Sequence, residues 1–208
     1  FRTHYATTAV ESALNRTQVA PETLEYVKKH VAIMANLEAA KVCNHKRSIP
    51  KTWEQSLQKK RDRLETRKVK AREKEKKLKQ KTVETKEKYK ERLGNYHLKL
   101  EKHKVKLEEY KGKFEERRLQ EKSTKGIEKR IASKKRAIRT QRERNKNLKI
   151  KQRERLEKLK MRILQIKKRD REAIQKLKLQ ITAQAETRDY NLGTSMKSYI
   201  DPRIYYNW

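Results

Sequence analysis

Cysteine, proline, glycine and long apolar runs are all scarce in this 208-residue chain. The single cysteine, Cys43, excludes an internal disulfide and any zinc cluster built on several thiolates, and it suits a reducing interior. No stretch approaches the roughly 20 apolar residues that span a bilayer, and no secretory signal stands at the start. Hydrophobic residues make up 33% and charged residues 42%, too little apolar side chain for one large globular core. Acidic residues are scarce too: Lys+Arg 60 against Asp+Glu 27 leaves a formal net charge of +33. So basic a chain needs a polyanion nearby. Nucleic acid is the first candidate and an anionic membrane surface the second. The chain opens on Phe1 in mid-element, as expected of a piece of something longer.

What is present falls into three parts. In residues 1–50, "APETLEYVKKHVAIMANLEAAKV" places Pro21 and Glu22 where a first helical turn favours them. Leu24, Val27, Val31, Met34 and Leu37 then recur at helical spacing. Pro50 ends that element. From Lys51 the composition turns to lysine, arginine, glutamate and glutamine. Leu57, Leu64, Ala71 and Leu78 mark one seam position per heptad, and the seam strengthens through Tyr89, Leu93, Tyr96, Leu100, His103, Leu107, Tyr110 and Phe114. Gly94 and Gly112 interrupt it as candidate flexible points. Ser123, Thr124 and Gly126 supply a break, after which Ile127, Ile131, Ile138, Leu156, Leu159, Ile163, Ile166, Leu177 and Ile181 resume the pattern. Two such stretches with a turn near 120–127 predict an antiparallel hairpin, with a parallel dimer of one continuous helix as the alternative. No motif recurs at a solenoid period.

The last piece, "ETRDYNLGTSMKSYIDPRIYYNW", has Asn191 and Gly193 to end the second arm. Thr194 or Ser195 can cap a short helix carrying Tyr199, which must stop near Asp201 before Pro202. "IYYNW" reads as buried anchoring. A closed hairpin brings its two feet together, so His45 approaches Tyr199, and Arg2 belongs to the same folded piece as His45. An arginine, a histidine and a tyrosine beside a basic arm suit phosphoryl transfer on nucleic acid. Tyrosine supplies a nucleophilic oxygen, arginine forks onto phosphate oxygens, and histidine donates to the developing charge. Each also has a plainer reading: a histidine in a basic loop is usually solvated, and Tyr199 could pack like Tyr205 and Tyr206.

Three segments resemble the C-terminal part of type IB DNA topoisomerase, the eukaryotic-type topoisomerase I. "FRTHYAT" resembles the family's Phe-Arg-Thr-Tyr-Asn-Ala segment, which makes Arg2 the second catalytic arginine. "KVCNHKRSIPKTWEQS" resembles its Leu-Cys-Asn-His-Gln-Arg-x-x-Pro-Lys-Thr segment, which makes His45 the active-site histidine. "LGTSMKSYIDPRIYYNW" resembles the segment around the nucleophile, Tyr199. The three follow the family's chain order, and the family places an antiparallel coiled-coil linker where the rod stands here. The detailed likeness covers residues 1–56 and 186–208. The rod matches in architecture and not in letters. Nuclear members usually read Ser-Lys-x-x-Tyr at the nucleophile and many carry asparagine before it, whereas here Met196 follows Ser195, the lysine is Lys197, and Ser198 precedes the tyrosine. An archaeal member and a divergent eukaryotic one both fit, the archaeal reading slightly ahead.

The expected fold is therefore all-α, with a short helical core piece at 1–50, a basic antiparallel coiled-coil linker at 51–188, and a small C-terminal helical domain at 189–208. The resemblance implies relaxation of supercoiled DNA through a 3′-phosphotyrosyl intermediate and religation, with Arg2, His45 and Tyr199 as catalytic residues. Asn44 and Ser198 are expected to contact DNA. No metal and no other cofactor is implied, in keeping with the absence of a phosphate-cradling glycine loop. The implied partners are duplex DNA and an upstream core supplying a further arginine and the general-acid lysine, without which this piece would cleave poorly. A monomer without membrane attachment, bound to the chromosome in a nucleus or nucleoid, completes the expectation. The alternatives are a non-catalytic basic coiled-coil binder of nucleic acid and a tyrosine recombinase, although recombinases lack a rod between histidine and tyrosine.

Overall fold

Apolar residues spaced four apart on two neighbouring helices build a packed core. The computed structural model describes residues 1–17 and 19–206. Helix α1 (Arg2–Thr17) and helix α2 (Glu25–Val42) pack through Ala6, Val10 and Leu14 on one side and Val31, Ala35 and Ala39 on the other. The alanines let the helices approach closely, and each larger side chain so buried contributes roughly 1.5–3 kcal/mol. Ile200, from the far end of the chain, completes this cluster at 7% exposure.

Helix α2 begins at Glu25 and not at Pro21. The N–H of Thr23 donates to the Ala20 carbonyl at 2.9 Å, so Pro21 takes the second place of a tight turn, where its fixed φ is favourable. At its other end α2 closes in a Schellman motif. Asn44 is left-handed at φ 54, its N–H reaches the Lys41 carbonyl, and the N–H of His45 reaches that of Ala40.

Two long helices follow, α3 (Trp53–Leu119) and α4 (Lys125–Glu186). The chain divides into two compact units, Phe1–Glu73 with Lys167–Trp208, and Lys74–Ile166. In the first unit the arms are joined at their feet. Lys46 and Tyr190 form an antiparallel bridge, and the Arg47 N–H donates to the Asp189 carbonyl at 3.0 Å. The Arg47 guanidinium donates to the Arg188 and Thr187 carbonyls at 3.1 and 3.2 Å. Above that, the Arg188 guanidinium lies 5.3 Å over the Trp53 ring, and Arg67 pairs with the nearly buried Asp170 at 2.8 Å.

In the second unit the seam is the expected one, with polar residues filling its gaps. Leu100 and Ile138 are buried, and so are Thr85, Gln141 and Asn145. Arg130 lies over the Tyr110 ring at 5.9 Å, while Arg155 shares a hollow with Thr85, Tyr89 and Arg92. One arm's partner moves up as the other's moves down, so the pairing is antiparallel. Each arm carries an extra four-residue step, Thr85–Tyr89–Leu93 and Leu148–Gln152–Leu156, and these steps meet, a device that locally unwinds a coiled coil.

Several expectations for the arms are corrected. Helix α3 runs unbroken through Gly94 and Gly112, because continuous backbone hydrogen bonding and the surrounding seam outweigh the propensity cost. The turn lies at 120–124 and uses no glycine: Gly126 is already inside α4. Glu121 takes the left-handed position at φ 58 in a second Schellman motif, with Lys122 N–H on the Arg117 carbonyl. This break, with antiparallel pairing on both sides, removes the parallel continuous-helix alternative.

After α4 the chain enters α5 (Leu192–Ser198) and a 3-10 turn (Pro202–Tyr205). Asn191 does not end the second arm but caps α5, accepting from the Gly193 N–H at 3.1 Å. Neither Thr194 nor Ser195 is the cap. Asp201 caps the 3-10 turn by accepting from the Arg203 N–H, and Pro202 fits its first position. Ile204 and Tyr205 pack against the core, and the Tyr205 hydroxyl donates to Oδ1 of the buried Asn36. Tyr206 is 85% exposed, so it is no anchor, while Asn207 and Trp208 lie outside the described residues. Among the described residues the architecture is all-α, without a strand, and no helix is long and apolar enough to cross a membrane.

Candidate active site

The Schellman motif that ends α2 fixes the backbone of His45, and the Asn191 N–H then donates to the His45 carbonyl at 2.7 Å. The residue that starts the short C-terminal helix thus holds the residue that follows α2. Helix α5 is seven residues long and delivers Tyr199 as its C-cap, with the Tyr199 N–H on the Ser195 carbonyl at 3.0 Å. The result is direct ring contact. The centroids of His45 and Tyr199 lie 5.0 Å apart with the planes tilted 44°. Both residues are partly buried.

Two residues that were not expected in the site, Ser195 and Thr7, brace this pair. Ser195 is fully buried, and its hydroxyl lies 2.8 Å from His45 Nδ1. Thr7, on α1, donates its hydroxyl to the Tyr199 carbonyl at 3.4 Å and accepts from the Asp201 N–H at 3.2 Å. One threonine therefore clamps the backbone on both sides of Ile200, whose side chain sits in the core. The spacing Ser195 to Tyr199 is one helical turn and was legible. Which residue Ser195 faces, and the part played by Thr7, depend on tertiary docking that no local pattern encodes.

Arg2 lies in the first turn of α1, on the helix that carries Thr7, and is exposed. Its guanidinium makes no hydrogen bond or ion pair among the described residues, so the structure does not join it to His45 or Tyr199. Asn44 and Ser198 are exposed neighbours of His45 and Tyr199, and Asn44 also supplies the left-handed backbone that turns His45 inward. Just beyond the tyrosine, the Arg203 guanidinium and backbone N–H hold the Asp201 carboxyl down at about 2. Burial pushes the Tyr205 phenol up, partly opposed by its bond to Asn36. No group of three or more potential metal ligands occurs among the described residues.

Residues 1–82 match the family model described as eukaryotic DNA topoisomerase I, catalytic core, and residues 171–208 match the one described as C-terminal topoisomerase domain. The chain belongs to the type IB DNA topoisomerase family. Between them the two matches cover more than half of the chain, and each contains part of the site: His45 falls in the first, Ser195 and Tyr199 in the second. The rod between residues 83 and 170 lies in neither. Among curated proteins none matches the chain. Membership makes the protein an isomerase that acts on DNA, working inside the cell where DNA is, and nothing in the geometry favours a non-catalytic binder or a recombinase.

Proposed function

We propose that Tyr199 is the nucleophile of this topoisomerase and that His45 and Arg2 stabilise the phosphate it attacks. The observation that carries the reading is the contact between His45 and Tyr199, two residues on opposite sides of the rod. In the proposed step the Tyr199 Oη gives up its proton to solvent water and bonds to phosphorus as the P–O5′ bond breaks. The leaving 5′ oxygen takes a proton and departs as a hydroxyl. The strand is then held as a 3′-phosphotyrosine, and attack by the 5′ hydroxyl reverses the step. His45 Nε2–H donates to a non-bridging oxygen, and Arg2 forks onto the same group once DNA is bound.

The general acid for the 5′ oxygen and the further arginine come, in this reading, from a core outside this chain, and no lysine of the rod is assigned the task. Residues 1–50 close that core, 51–188 form the linker, and 189–208 return the nucleophile. The exposed Asn44 and Ser198 contact DNA beside the break. The protein acts as a monomer, because each arm already has its seam partner within the same chain. Its place is the nucleus if the source is eukaryotic, as the description of the matching core family favours, and the nucleoid if archaeal.

The test is relaxation of negatively supercoiled plasmid by the protein assembled with its core. Wild type relaxes the plasmid without ATP, and Tyr199→Phe leaves it supercoiled. Full relaxation by Tyr199→Phe would remove the proposal.

A further inference from the structure

We infer that Ser195 is a positioning residue that commits His45 to donate from Nε2, and that it couples the histidine to the nucleophile. The inference rests on the roles proposed above for His45 and Tyr199.

Ser195 is fully buried on a helix whose Gly193, Thr194, Met196, Lys197 and Ser198 are all exposed. A hydroxyl buried to that degree must find a hydrogen-bond partner or bear a desolvation cost. Its partner is His45 Nδ1, at 2.8 Å. A hydroxyl both donates and accepts, whereas each imidazole nitrogen is one or the other at any moment. A neutral ring carrying its proton on Nδ1 would use the serine oxygen as acceptor and leave the buried O–H with no acceptor of its own, since the hydroxyl has no other partner among the described residues. The O–H of the serine therefore donates to a bare Nδ1, and the neutral ring's only proton sits on Nε2. When the ring is charged, Nδ1–H donates to the serine oxygen, and Nε2 again carries a proton. In both states Nε2, the nitrogen not occupied by Ser195, remains a donor for a phosphate oxygen. A fixed acceptor such as a carboxylate would instead favour the charged ring, and an apolar neighbour would leave the neutral ring free to choose its tautomer.

The same residue also holds the tyrosine. Its backbone carbonyl accepts the Tyr199 N–H at 3.0 Å, one turn along the helix. Side chain to the histidine and backbone to the nucleophile make Ser195 the shortest covalent and hydrogen-bonded path between the two. A shift of α5 that moved Tyr199 would stretch the bond to His45 at the same time. A residue that only filled space would need no hydroxyl there, and alanine is the better helix former.

The experiment has two arms. In the first, the side-chain nitrogen signals of His45 are recorded in the 208-residue chain itself. The neutral ring of the wild type shows the Nε2–H tautomer alone, and Ser195→Ala shows a mixture, with backbone amide spectra confirming an intact fold. In the second, single-turnover cleavage of a nicked duplex is followed for the core-assembled protein. Ser195→Ala slows cleavage about tenfold, the scale of one lost hydrogen bond. In a His45→Ala background the same substitution costs nothing further. An equal loss in both backgrounds, or an unchanged His45 spectrum in Ser195→Ala, would overturn the inference. If no variant, wild type included, forms a covalent adduct, the proposed nucleophile fails instead, while the spectra still decide whether Ser195 sets the tautomer.

Discussion

The rings of His45 and Tyr199 lie 5.0 Å apart although the whole rod separates them in the chain. Two devices close that gap: the antiparallel bridge between Lys46 and Tyr190, made by the Asn191 N–H on the His45 carbonyl and the Arg47 N–H on the Asp189 carbonyl, and Thr7 clamping the segment after the tyrosine. Neither lies in the rod. The two long helices are tied together at their feet, and there His45 and Tyr199 meet.

If His45 stabilises charge on phosphate, His45→Ala slows single-turnover cleavage on the order of 10²-fold, as loss of one preorganised donor does elsewhere. The substitution also leaves the buried Ser195 hydroxyl without its partner, at a cost of about 1–2 kcal/mol in stability. A rate within threefold of wild type would remove the histidine from the chemistry.

Thr7→Val keeps the shape of the side chain and deletes both of its hydrogen bonds. The Asp201 N–H is left without its partner, which costs about 1–2 kcal/mol. Denaturant unfolding would report that loss, and cleavage should fall further than stability does because the backbone of Tyr199 is no longer held on both sides. An unchanged midpoint would contradict the clamp.

The arms were legible because a heptad seam writes itself in apolar letters, and Leu57, Leu64, Leu100, Ile127, Ile138 and Leu159 are all buried as the spacing requires. The core between α1 and α2 was harder to read, since alanines at 6, 35 and 39 contribute half of it and carry little hydrophobic signal. Glycine and proline misled where the backbone had other uses for them. Pro21 makes a turn, Gly126 sits in a helix, and the left-handed positions went to Asn44 and Glu121. At the site, His45 and Tyr199 could be named from chemistry and resemblance. Ser195 and Thr7 could not, because their importance arises only when the C-terminal segment docks on α1 and α2.

Gly94 and Gly112 lie in mid-helix, and a Cβ added to either would meet nothing within 4 Å. Gly94→Ala therefore stabilises the hairpin by about 0.5–1 kcal/mol, through the lower entropy of the unfolded chain. Glu121→Gly should act in the same direction by relieving a left-handed residue that bears a side chain. Thermal melts of the two variants check this, and a lower melting temperature for Gly94→Ala would mean that α3 is not continuous there.

The Asp201 carboxyl sits at about 2 instead of its ordinary 3.8, chiefly because the Arg203 guanidinium bonds it and secondly because it accepts the Arg203 N–H. A carboxyl whose folded value is depressed contributes its stability in full above 3.8 and loses it as the pH falls through about 2. The turn after Tyr199 should thus loosen between those values and hold steady above them. Carbon-detected titration of the Asp201 carboxyl in the chain would give a midpoint near 2, and a midpoint at 3.8 would show that the pair with Arg203 does not form in solution.

The arms carry much of the net charge of +33, including exposed Lys99, Lys102, Lys106 and Lys113. If these attract the DNA that turns during relaxation, changing all four to glutamine speeds strand rotation and lowers the salt dependence of binding, while the rate of cleavage stays as it was. Single-molecule relaxation traces would show it. Rotation at the wild-type speed would mean that the charge serves another purpose.

The most direct test of the account is a covalent trap. The protein, assembled with its core, is incubated with a nicked duplex truncated so that the cleaved strand cannot religate, and labelled DNA is followed through denaturing electrophoresis. The account predicts a protein–DNA adduct joined through the 3′ phosphate, present in wild type and absent in Tyr199→Phe. An adduct of equal yield in Tyr199→Phe, or none in wild type despite tight DNA binding, would contradict it.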